Sequence, residues 1–145
     1  MKKIFQILCL IVRFISGFII LMQGYEKITG GFRLEGLTKV IAQNEDSPTR
    51  YKQFFEHIIA PYTTIWEWVI PLGEIMIGLA LILGFLQYYA ALFGIFIMIN
   101  YILADMIFTY PMQLIGFIII ALNVERLRNM SLHAVYKMFM KKEAG

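Results

Sequence analysis

Apolar residues gather into four long runs, at about 4–25, 62–84, 88–105 and 110–124, and charged residues lie almost entirely between and beyond them. Each run approaches the roughly 20 residues that cross a hydrocarbon core. Gly30-Gly31 closes off the first run, and Pro71 falls inside the second. Such a proline is tolerated in a membrane helix when neighbours satisfy the carbonyl it frees. The connections after Gly84 and after Asp105 are short, so the last three runs should form an antiparallel meander. The pattern predicts an all-α membrane protein, a four-transmembrane-helix antiparallel bundle occupying 1–145 as one domain.

The first connection is too long for a plain linker. Ser47-Pro48 reads as a helix cap followed by proline at the first helical position. Tyr51, Phe54, Phe55, Ile58 and Ile59 then recur at helical spacing among Arg50, Lys52, Gln53, Glu56 and His57. This predicts an amphipathic interfacial helix over about 48–59, lying on the outer membrane surface, with a weaker one over 34–41. After the fourth run, Leu132, Val135, Tyr136, Phe139 and Met140 oppose Lys137, Lys141 and Lys142, which predicts a cytoplasmic amphipathic tail at about 131–142.

Within each run, the residues a lipid-facing surface would avoid share one face. Arg13, Gly17, Ile20, Gly24 and Lys27 follow at steps of three and four, as do Glu67, Pro71, Glu74, Gly78 and Leu81. The third run offers Gly94, Met98, Tyr101 and Asp105, with Asn100 and Ala104 beside them, and the fourth Gln113, Gly116, Ile120 and Asn123. Small residues allow close backbone approach and polar ones bond across the interface, so the four stripes should face one another. Counted from the presumed helix ends at about 1.5 Å per residue, Arg13 lies roughly 13 Å and Glu74 roughly 18 Å deep. A lone charge at that depth costs ~2.5–3.5 kcal/mol on insertion scales, so an Arg13–Glu74 pair is expected. Lys27, Glu67 and Asp105 form a second layer nearer the outer surface, with Asn100 and Tyr101 below; Lys27 can meet either carboxylate. The expected result is a charged mouth above a buried pair.

Composition agrees. Charged residues make up 16% of the chain, against about a quarter in a soluble domain. Cys9 is the sole cysteine, so no intramolecular disulfide or cysteine-based metal site is available, and His57 and His133 lie in separate flanking segments. The pI near 9.0 comes without an aromatic-basic patch, which argues against nucleic acid and for anionic lipid headgroups. Arg13 interrupts the first run and no small-residue cleavage site follows, so a retained first helix is expected rather than a signal peptide. Lys2 and Lys3, with Arg126, Arg128, Lys137, Lys141 and Lys142, place both termini on the cytoplasmic side. Tyr62, Trp66, Trp68 and Tyr110 fit an aromatic belt at the outer interface.

Arg13 and Gly17 with Gly24-Tyr25-Glu26-Lys27, then Pro71-Leu72-Gly73-Glu74 with the run Gly78 to Gly84, then Asn100-Tyr101-Ile102-Leu103-Ala104, resemble the DoxX/DoxD-like family from Arg13 to about Asn123. The resemblance implies a four-helix protein of the bacterial inner membrane, a quinone as the associated small molecule, and a redox protein partner. On that reading Glu74 relays a proton, Arg13 holds it ionised or stabilises a reduced oxygen, and Lys27, Glu67, Asn100, Tyr101 and Asp105 line the pocket. Two other readings stay open: a structural or assembly subunit without chemistry of its own, and a small-molecule carrier built as a homo-oligomer.

Overall fold

In the computed structural model, which describes residues 2–107 and 109–128, all regular structure is helical. In chain order the α-helices are α1 (Lys2–Thr29), α2 (Leu34–Gln43), α3 (Thr49–Phe54), α4 (Thr63–Leu83), α5 (Gln87–Leu103), α6 (Tyr110–Leu122) and α7 (Val124–Arg128). The four apolar runs correspond to α1, α4, α5 and α6. The expected tail helix at about 131–142 lies outside the described residues.

α3 does not stop before α4. The chain widens into a π turn over Phe55–Ile59 and tightens into a 3-10 turn over Ala60–Tyr62 before α4 begins. Pro61 explains the irregularity, since it has no N–H to donate and its ring crowds the carbonyl four residues earlier. The indole Nε1 of Trp66 donates to the Ile58 carbonyl at 3.3 Å within this segment. The whole stretch Thr49–Leu83, like Ile4–Thr29, is long and apolar enough to cross a membrane, while α5 and α6 are shorter apolar helices.

α1 packs chiefly on α4 and also on α6, and α5 lies between α4 and α6, so the four helices close a ring. The predicted stripes line its inside: Arg13, Gly17, Ile20 and Gly24 of α1, Pro71, Glu74, Gly78 and Leu81 of α4, Gly94, Met98 and Tyr101 of α5, and Gln113, Gly116 and Ile120 of α6 are buried. Close approach sets the register. A Cβ added at Gly78 would lie 2.7 Å from the Gly17 carbonyl oxygen, and one at Gly24 would lie 2.6 Å from that of Pro71. The outward faces carry large apolar side chains, including Ile7, Phe18, Leu72, Met76, Phe93 and Ile115. Surfaces of this extent are not stable against water.

α2 and α3 form a cap over one end of the ring. Tyr51, Phe55 and Ile59 pack with Leu34, Ile41 and Ala104 in a second apolar cluster. The helix expected on the membrane surface therefore spends its buried stripe inside the protein. Its apolar face finds α2 and the end of α5 before it finds lipid.

Candidate functional site

The bundle holds two polar centres at different levels. The upper one forms where Lys27 of α1, Glu74 of α4 and Tyr101 of α5 converge. The Lys27 Nζ donates to Glu74 Oε1 and to the Tyr101 hydroxyl, each at 2.5 Å, and the Tyr101 hydroxyl donates to the same Glu74 oxygen at 2.5 Å. Glu74 is wholly buried, and its Oε2 accepts no hydrogen bond among the described residues. Helical spacing on three elements aims these side chains at one point, and Tyr110 of α6 packs on the Tyr101 ring with centroids 4.6 Å apart.

The lower centre surrounds Arg13, also wholly buried. Its Nη1 donates to Gln87 Oε1 at 3.2 Å, while Gln87 Nε2 donates to the carbonyls of Gly84 and Leu127 at 2.9 and 3.4 Å. Gln87 thus ties α1 to the α4–α5 turn and to α7. Gln87 lies outside the polar stripes, and its one signal in the sequence is a glutamine between apolar neighbours at the start of an apolar helix.

The expected Arg13–Glu74 pair is not formed. Glu74 sits level with Gly24, whose added Cβ would lie 3.0 Å from that of Glu74. Arg13 is eleven residues away along the same helix, roughly 16 Å at the α-helical rise. Depth counted from presumed helix ends misplaced the two, because the glycine contacts, not the ends, fix how α1 slides on α4. Both charges do turn inward, each to another partner.

The second polar layer is also rearranged. Lys27 meets neither Glu67 nor Asp105. Glu67 Oε1 accepts from the backbone N–H of Leu34 at 2.8 Å, and Oε2 pairs with Arg33 at 3.2 Å. A carboxylate at the first N–H groups of α2 complements the helix dipole there. Asp105 ends α5 with a left-handed φ of 62°, the Met106 N–H reaching back to the Tyr101 carbonyl, and its Oδ2 accepts from Asn44 at 3.1 Å. The Asn100 side-chain amide donates to the Phe96 carbonyl, and the Asn100 backbone carbonyl accepts from the Tyr51 hydroxyl at 2.8 Å. Glu67, Asp105 and Asn100 therefore fasten the cap to the bundle.

Between cap and bundle lies an apolar cavity of about 120 Å³, walled by Phe32, Tyr51, Phe55, Trp66, Phe96 and Tyr101 among others. Neither Arg13 nor Glu74 lines it. Tyr101 does, so one residue joins the cavity wall to the Lys27–Glu74 pair. A second, more polar cleft of about 300 Å³ reaches Lys27 from Gln23, Glu26, Gly30 and Tyr110.

The DoxX family model matches residues 8–107, a span that takes in both centres' α1, α4 and α5 residues and the whole cap. No curated protein and no solved structure matches the chain.

Proposed function

The chain belongs to the DoxX family of membrane proteins, and from that premise and the geometry above we propose that it is the four-span membrane subunit of a quinone-linked redox complex. Lys27, Tyr101 and Glu74 are its proton-handling group. The observation that carries the reading is the double position of Tyr101, whose ring walls the cavity while its hydroxyl donates to Glu74.

The apolar outer faces of α1, α4, α5 and α6 support four crossings. α6 alone has 13 residues, and the course continues through Asn123 into α7, so a locally thinned bilayer and flanking side chains that reach the interface make up the difference. In this reading the N-terminus and α7 lie on the cytoplasmic side of the inner membrane and the cap lies outside.

The cavity suits the apolar ring of a quinone. An engineered apolar cavity of ~150 Å³ takes up benzene, and this cavity of about 120 Å³ is on the scale of one ring. The Tyr51 hydroxyl and the Asn100 amide are bound to backbone carbonyls, whereas the Tyr101 hydroxyl is bound to side chains that themselves exchange protons. A bound quinone supplies two-electron, two-proton chemistry. The chain contributes the proton side of it: the Tyr101 ring lies at the cavity wall with its hydroxyl turned to Glu74, Glu74 accepts or replaces that proton, and Lys27 compensates the carboxylate's charge. Electrons come from a partner redox protein, since one cysteine and two histidines provide no haem or iron–sulfur ligand set.

Protein purified from its native membrane should release a quinone on extraction. Glu74→Gln, at preserved abundance, should lower donor-to-quinone turnover of the assembled complex by about 10²-fold or more, the usual contribution of a positioned acid–base group. Unchanged turnover rejects the role. A second reading, a structural subunit, draws on Gln87, Glu67 and Asp105, whose bonds to backbone and cap groups fasten elements together. Under it, Lys27→Met with Glu74→Leu would keep the complex fully active.

A further inference from the structure

α1 ends in a glycine cap that decides where Phe32 goes. Gly31 has a left-handed φ of 66°, and the Phe32 N–H donates to the Lys27 carbonyl at 3.0 Å. In this cap the residue after the left-handed glycine folds back over the last helical turn. The Phe32 ring is accordingly brought 5.6 Å from the Lys27 ammonium. That position has a consequence for the cavity. Phe32 lines the apolar cavity under the cap, the polar cleft of Gln23, Glu26 and Tyr110, and a third cleft of about 120 Å³ beside Arg33 and Glu67. One aromatic ring stands where all three meet.

We propose that Phe32 is the specificity-determining partition of the ligand site: it closes the aromatic cavity off from the Lys27 clefts and so restricts the site to ligands with a single six-membered ring. The proposal deepens the quinone reading and rests on it for the ligand's identity. The size limit itself rests on volume alone. With Phe32 in place the cavity offers about 120 Å³, and a second fused ring finds no room on the Phe32 side. Truncating Phe32 joins the cavity to neighbouring spaces of about 120 and 300 Å³, which makes room for a fused bicyclic ligand and lets one end of it reach Lys27. The effect of excluding or admitting a ring in a packed pocket is at least that of a few methylenes, about tenfold or more in affinity.

The test uses the full chain in detergent, with binding read from ligand-induced thermal stabilisation. The probes are methylbenzoquinone and methylnaphthoquinone, which differ by one fused ring, with toluene and methylnaphthalene as arenes that lack the quinone oxygens. Comparing each variant with the parent protein cancels partitioning into the micelle. The parent should bind the one-ring member of each pair about tenfold or more tightly than the two-ring member. Phe32→Ala should abolish or invert that preference, and Phe32→Leu should reduce it. If Phe32→Ala does not fold, Phe32→Leu and the parent's own preference carry the test. A parent that does not discriminate, or a preference unchanged in the variants, overturns the inference. Ring-size discrimination among arenes with no gain for the quinones upholds the partition and rejects the quinone reading. Tight quinone binding with equal preference in parent and variants does the reverse.

Discussion

At the scale of single residues, the central fact is that two inward-turned cations on one helix, Arg13 wholly buried and Lys27 partly so, answer to different partners. Lys27 is paired with Glu74 and Tyr101, while Arg13 bonds Gln87 well below them. Removing one member of a buried pair strands the other charge, a loss of about 3–5 kcal/mol, whereas replacing both with apolar groups is often close to neutral. Lys27→Met alone should therefore lower stability by that amount, because it strands the wholly buried Glu74, and adding Glu74→Leu should restore most of it. Arg13→Leu and Glu74→Leu should instead add within about 0.3–0.5 kcal/mol, as unconnected sites do. Denaturation of the four variants in mixed micelles measures both cycles. Strong coupling between Arg13 and Glu74 would contradict the arrangement described. That both charges point inward was legible in the sequence, because hydrocarbon does not tolerate them elsewhere. Which partner each finds was not, since partners depend on atoms brought together by three helices.

At the scale of elements, the α1–α4 contact sets everything above it. Gly17, Gly24 and Gly78 let the backbones approach so closely that an added methyl meets carbonyl oxygen or Cβ atoms within 3.0 Å. Backbone cannot yield as a flexible side chain can. Gly24→Ala and Gly78→Ala should each cost about 1–3 kcal/mol, the range for overpacking. The Gly24 change should also weaken Lys27–Glu74 coupling by shifting their register. Gly73, whose added Cβ would meet nothing within 4 Å, should accept alanine at little cost, and the contrast among the three in thermal denaturation checks the assignment. The glycine and polar stripes were readable as periodicity. The π and 3-10 turns at Phe55–Tyr62 were not, because they arise where Pro61 interrupts a helix that tertiary packing then continues into α4.

For the whole molecule, the cap roofs one end of the ring of helices and walls one side of the aromatic cavity. Tyr51, Phe55 and Ile59 bury their faces against α2 and the end of α5, and Glu67, Asp105 and Asn100 fasten the cap by hydrogen bonds. In the proposed topology the cap faces away from the cytoplasm. A cysteine placed at the exposed Gln53 of α3, in a Cys9→Ser background, should react with a membrane-impermeant maleimide added outside intact spheroplasts. Reaction only after the membrane is opened would invert the topology.

The sequence by itself determined that the chain is helical, where its apolar runs lie, which face of each turns inward, and that it is DoxX-like. These follow from local terms, helical periodicity and the cost of placing charge in hydrocarbon, which act on each segment separately. The tertiary structure alone decided that Lys27 rather than Arg13 holds Glu74, that Glu67 and Asp105 fasten a cap instead of lining a mouth, and that Phe32 stands between the cavity and Lys27. Those outcomes hang on how far one helix slides along another. That sliding is fixed by glycine-to-carbonyl contacts across the interface, which a linear pattern does not contain.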